Sequence, residues 1–90
     1  MCLKSREQKN EDLYEILVSI KSVDECRDFL ADLCTNKEID KMADRIYAAR
    51  LLMSGKTYTE VINDTDISSA TLSRISTCVQ YGKGYSKLLK

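Results

Sequence analysis

"GKTYTEVINDTDISSATLSR", residues 55–74, holds two helical patterns with a four-residue interruption between them. Thr57 with Glu60 matches the capping box, in which the hydroxyl takes a free backbone N–H and the carboxylate returns to the cap's own N–H. A short helix over Thr57–Asp64 follows, with Val61 and Ile62 facing inward. "TDIS", Thr65 to Ser68, breaks the pattern, and a second helix runs from about Ser69 to Tyr81. At about 100° per residue, Leu72, Ile75 and Val79 of that helix point one way. Ala70, Ser73, Arg74 and Thr77 point the other. Two helices joined by a short turn, the second with a narrow apolar seam, have the spacing of a helix-turn-helix.

The outward face carries the functional expectation. A helix that approaches base edges closely favours short side chains, because hydroxyls donate or accept at bases and phosphates and an alanine methyl can rest on a thymine methyl. Arg74 suits a phosphate or a guanine edge. The free N–H groups near Thr57 and Ser69 suit backbone phosphates, and Lys56 adds a cation. The expected DNA-contacting set is Lys56, Thr57, Thr59, Ser68, Ser69, Ala70, Thr71, Ser73, Arg74 and Thr77. The competing reading is a helical hairpin with a solvated Ser/Thr-rich face that meets another protein. The turn residue expected to need positive φ is Asp66, and aspartate tolerates that region better than most residues.

Upstream, Ser22 with Glu25 and Thr35 with Glu38 repeat the capping pattern, so an all-α chain is expected. Leu13, Ile16, Leu17 and Ile20 form one apolar stripe; Val23, Cys26, Phe29, Leu30 and Leu33 form a second. Ile39, Met42, Ala43, Ile46, Ala49 and Met53 form a third, on a helix over about 36–54. Arg50 lies within that stripe, where the bland reading is an apolar stem with its head in water. Leu51 and Leu52 lie towards its other side, and a second copy of the chain is the candidate cover. Gly55, Gly82 and Gly84 stand where helices are expected to stop.

Ninety residues, 43% apolar and 31% charged, suit one globular domain with a thin core. Within it, 1–10 is expected to be an arm, 11–54 to hold dimerisation helices, 57–81 the helix-turn-helix and 82–90 a C-terminal segment. No apolar run approaches the length of a membrane span and the N-terminus lacks a signal-peptide core, so a cytoplasmic location is the expectation. Net charge is zero, yet residues 1–66 hold all 14 acids and 10 of the 14 bases. Arg74, Lys83, Lys87 and Lys90 then follow without an acid, a segregation that gives one region a basic field. Cys2, Cys26, Cys34 and Cys78 are widely spaced and histidine is absent, which disfavours a zinc site and excludes a Cys-His or Ser-His nucleophile. Neither an enzyme nor a cofactor is expected.

"DLCT" (32–35), "GKTY" (55–58), "ATLSR" (70–74) and "YGKGY" (81–85) together resemble the YerC/YecD-type proteins of the Trp repressor superfamily, over most of residues 13–88. The resemblance implies a Trp repressor-like helical fold and an intertwined homodimer, with two recognition helices in successive major grooves of double-stranded DNA. In the Trp repressor the corepressor lies between two arginines, beside a threonine and a glycine. Matched motif by motif, the arginines fall on Arg45 and Arg74 and the threonine on Thr35. The glycine's place is taken by Ile75, whose branched side chain fills the room an indole needs. The segment between Gly55 and the turn is also one residue shorter than in the Trp repressor. Thr35, Arg45, Arg74 and Ile75 are therefore expected to be a vestigial pocket that does not take tryptophan, with Arg45 paired to carboxylates on the side of Asp44 or on a neighbouring chain.

Overall fold

The structure, a computed structural model, describes residues 4–89. Six helices follow in order, α1 (Arg6–Ser19), α2 (Val23–Leu33), α3 (Asn36–Met53), α4 (Tyr58–Asp64), α5 (Ser69–Tyr81) and α6 (Gly84–Leu88), with no strand among the described residues. They divide into two compact units, residues 1–35 and 36–90.

In the first unit, Ser5 caps α1 with a full capping box. Its Oγ accepts from the Gln8 amide at 3.2 Å, and Gln8 Oε1 accepts from the Ser5 amide at 2.8 Å. Helix therefore begins inside the stretch expected to be an arm, while residues 1–3, with Cys2, lie outside the described residues. The Ser22 cap is half of the expected box. Ser22 Oγ accepts from the Glu25 amide at 3.0 Å, but Glu25 Oε1 accepts from Lys21 N–H at 3.3 Å, one residue early. No residue of α1 or α2 is buried, and Val18 and Val23 are 85% and 73% exposed. Two short helices supply too few side chains to exclude water by themselves.

The second unit holds the core. Ala48, Ala49, Val61, Leu72 and Ile75 are buried, and Leu51, Leu52, Ile62, Ile67, Val79, Tyr85 and Leu89 pack around them. The two alanines let the helices lie close, and α3 packs on α5. Of the expected stripe of α3, Ala49 is buried and Ile39 half-buried, while Met42, Ile46 and Met53 remain exposed in the single chain; Ala48, Leu51 and Leu52 also face the core. Hydrophobicity alone points to the larger side chains, but the close crossing selects the small ones. Leu51 and Leu52 pack against this core and are half-buried within the single chain. Arg50 is exposed, and its Nη1 donates to the Leu89 carbonyl at 3.4 Å.

Three local devices fix the connections. Gly55, at φ 98°, closes α3 with Gly55 N–H to Leu52 O and Lys56 N–H to Leu51 O, both 3.1 Å, the Schellman arrangement that favours glycine. The turn before α5 departs from expectation, since no non-glycine residue among those described has positive φ, Asp66 included. Thr65 closes it instead: its Oγ1 donates to the Val61 carbonyl at 2.8 Å and accepts from Ile67 N–H at 3.4 Å. Beyond α5, Gly82 caps the helix with its N–H on the Cys78 carbonyl at 2.8 Å. A Cβ there would stand 2.6 Å from that carbonyl oxygen. Gly84 opens α6 and does not stop a helix, so the expected C-terminal segment contains one.

Candidate nucleic-acid interface

Helix α5 turns Leu72 and Ile75 into the core and holds Ser69, Ala70, Ser73, Arg74 and Thr77 at the surface. The partition follows from the sequence, because the apolar residues recur at helical spacing and the hydroxyls fill the positions between. Among the described residues Arg74 makes no ion pair, so its guanidinium is available for an outside partner. Thr77 Oγ1 donates back to the Ser73 carbonyl at 3.1 Å, the usual outlet for a hydroxyl in mid-helix.

Other expected contacts already have work to do. Ser68, not Ser69, is the N-cap of α5. Its Oγ accepts from the Thr71 amide at 3.2 Å and donates to Thr71 Oγ1 at 3.1 Å, and Thr71 is half-buried. Thr57 caps α4: its Oγ1 accepts from the Glu60 amide at 3.2 Å and donates to Glu60 Oε1 at 3.1 Å. The backbone and hydroxyl of Thr57, with Lys56 beside them, hold the Glu60 carboxyl below its ordinary value. A carboxylate therefore already sits at the start of α4, where the sequence suggests room for a phosphate. Lys56 Nζ lies 3.6 Å from Glu60 Oε2 and is exposed, as is Thr59.

Sequence reasoning missed Tyr58. The first residue of α4, it reaches across to α5, where its Oη lies 3.5 Å from Ser73 Oγ. Hydrogen bonds to Ser73 and then Ser76 hold the phenol below its ordinary value. An aromatic with a polar tip directly after a helix cap is the available signal, since its reach spans two neighbouring helices.

The residues of the expected vestigial pocket lie in different surroundings. Arg45 lines a cavity of about 260 Å³ with Lys41, Asp44, Asp66, Ile67, Ser68 and Thr71, and neither Arg74 nor Ile75 is on its wall. Ile75 is 3% exposed, within the core. No carboxylate of this chain pairs with Arg45 among the described residues, although Asp44 and Asp66 share the cavity wall. Thr35 belongs to the other unit. A separate apolar hollow of about 480 Å³ lies against α3, the end of α5 and α6, walled by Ile46, Cys78, Tyr85, Leu88 and Leu89. Cys26, Cys34 and Cys78 are half-buried free thiols. No helix among the described residues is long and apolar enough to cross a membrane.

Comparison with known proteins agrees with this fold. Over 79 residues the chain is 39% identical to the YerC protein of Bacillus subtilis (strain 168), whose own function is uncharacterised, covering 88% of this chain and 76% of that one. A TrpR-like protein from Eubacterium eligens superimposes with a TM-score of 0.82 at 35% identity, over 91% of this chain and 86% of the other. A candidate Trp repressor from Staphylococcus aureus gives 0.81 at 27% identity, over 96% and 92%. The family model for the Trp repressor protein matches residues 8–90. With its six helices, its α4–turn–α5 unit and a match over nearly its whole length, this chain belongs to the Trp repressor family.

Proposed function

We propose that this chain is a cytoplasmic, homodimeric, sequence-specific DNA-binding regulator that represses by occupying its operator and does so without tryptophan. The observation that carries the reading is the outward face of α5: three hydroxyls, a methyl and an unpaired arginine, Ser69, Ser73, Thr77, Ala70 and Arg74, held at the surface by Leu72 and Ile75 beneath them. In this reading α5 enters the major groove. Arg74 and Lys56 set the register on phosphates, and the short side chains meet base edges. A second copy supplies the second recognition helix and covers apolar surface that this chain leaves in water, such as Val18, Met42 and Ile46.

Selection of duplexes from a random pool with purified protein tests this directly. The expected product is a pseudo-palindrome whose half-sites lie about one helical turn apart. On that duplex Arg74→Ala weakens binding by roughly 1–3 kcal/mol, and affinity falls as salt rises. Enrichment of no duplex would favour the other reading, a helical module that binds protein.

A further inference from the structure

Helix α1 and the end of the chain carry opposite charges at the same spacing. Glu7, Glu11 and Glu15 recur every fourth residue and so form one exposed acidic ridge along α1. Tyr14 and Val18, 52% and 85% exposed, lie beside that ridge at about 100° per residue. Like charges four residues apart weaken a helix, so the ridge is a cost to α1 while it stays unpaired. In the other unit Lys83 and Lys87 are also four apart and exposed, and residues 67–90 contain no acid. Lys83 stands on the wall of the hollow of about 480 Å³, beside the apolar side chains of Ile46, Cys78, Tyr85, Leu88 and Leu89. Among the described residues, none of these glutamates and neither lysine is in an ion pair.

Resting on the homodimer reading above, we propose that this hollow receives α1 of a second copy of the chain. Tyr14 and Val18 enter the apolar floor, and Glu11 and Glu15 pair with Lys83 and Lys87. The common spacing, about 6 Å along each helix, puts both pairs of opposite charge in step. The unit that bears α1 buries no residue of that helix or of α2, whereas the hollow lies against the elements that hold the core. Apolar burial then supplies the association, and the charges decide which helix is accepted and in which register. A second copy brings both surfaces, so a two-fold axis makes the same contact twice.

Charge reversal tests this, read by sedimentation equilibrium, with helix content followed by circular dichroism. One variant carries Glu11→Lys and Glu15→Lys, the other Lys83→Glu and Lys87→Glu. Each alone should dimerise roughly tenfold more weakly than the wild type, because every reversed pair repels. Mixed in equal amounts, they should form a heterodimer of near wild-type affinity, since each α1 then meets the opposite sign on its partner. A variant that loses helix alone should regain it in the mixture, and the wild-type dimer should weaken as salt rises. A mixture that associates no better than its parents overturns the proposal, because α1 then answers to its own chain. Variants that each dimerise as the wild type does overturn it as well, and leave the hollow to another occupant such as a small apolar acid. If the wild type is monomeric throughout, the homodimer reading falls and takes this inference with it. If the wild type dimerises and these charges make no difference, this inference falls alone.

Discussion

Replacing Leu72 by alanine tests whether the seat of α5 is where the structure places it. Leu72 is 0% exposed and is, with Val61, one of the two largest fully buried side chains among the described residues. Two of its neighbours in the buried cluster are alanines, which have no side chain to swing into a void. The deletion therefore removes the transfer free energy of the lost carbons and leaves a cavity, for a total of about 3 kcal/mol. A chain of this length has a total stability of roughly 4–13 kcal/mol at the usual value per residue, so the loss is a large fraction of the whole. In a domain of this size it corresponds to a fall in Tm of roughly 12–24 °C. Circular dichroism at 222 nm during heating or urea titration reads the change. Thr77→Ala is the comparison: on the same helix but exposed, it should stay within about 0.5 kcal/mol. If the two variants melt together, α5 is not anchored through Leu72 and the inward and outward faces have been misassigned.

Two further outcomes are expected. Titration calorimetry with free tryptophan should show no micromolar binding, because Ile75 fills its site within the core; binding that vanishes in Arg45→Ala and Arg74→Ala would reverse that conclusion. Glu60, whose carboxyl is held below its ordinary value by Thr57, contributes stability that is present above the ordinary glutamate range and lost as pH falls through its lowered native value. Glu60→Gln should flatten the acid limb of the stability curve, and an unchanged limb would mean that the α4 cap is not a carboxylate device.

What was legible in the sequence is what depends on near neighbours. The Thr57 cap, the bounds of α5 and its two faces all follow from residues within a turn or two of one another, and the structure reproduces them. The buried face of α3 was legible only in part, with Ala49 in the expected stripe and Ala48 outside it, because that face depends on which helix crosses it. At a close crossing Ala48 and Ala49 outrank Met42 and Ile46, which no count of hydrophobicity along one helix reveals. Helix α6 was missed because it is short and begins at a glycine, a residue that ordinarily signals an end. Of the candidate interface, the exposed hydroxyls of α5 were legible, but the commitment of Ser68 and Thr71 to each other, and the reach of Tyr58 to Ser73, required the two helices to be set side by side.

The bend between α4 and α5 rests on a hydroxyl and not on a permissive backbone. Its tolerance of change is therefore inverted relative to a turn built on glycine. Position 66 needs no positive φ, whereas valine at 65, a near match to threonine in shape, would release the Val61 carbonyl and the Ile67 amide together. The angle at which the second helix is offered can thus be loosened by exchanging a single oxygen atom for a methyl group, with every buried residue left in place.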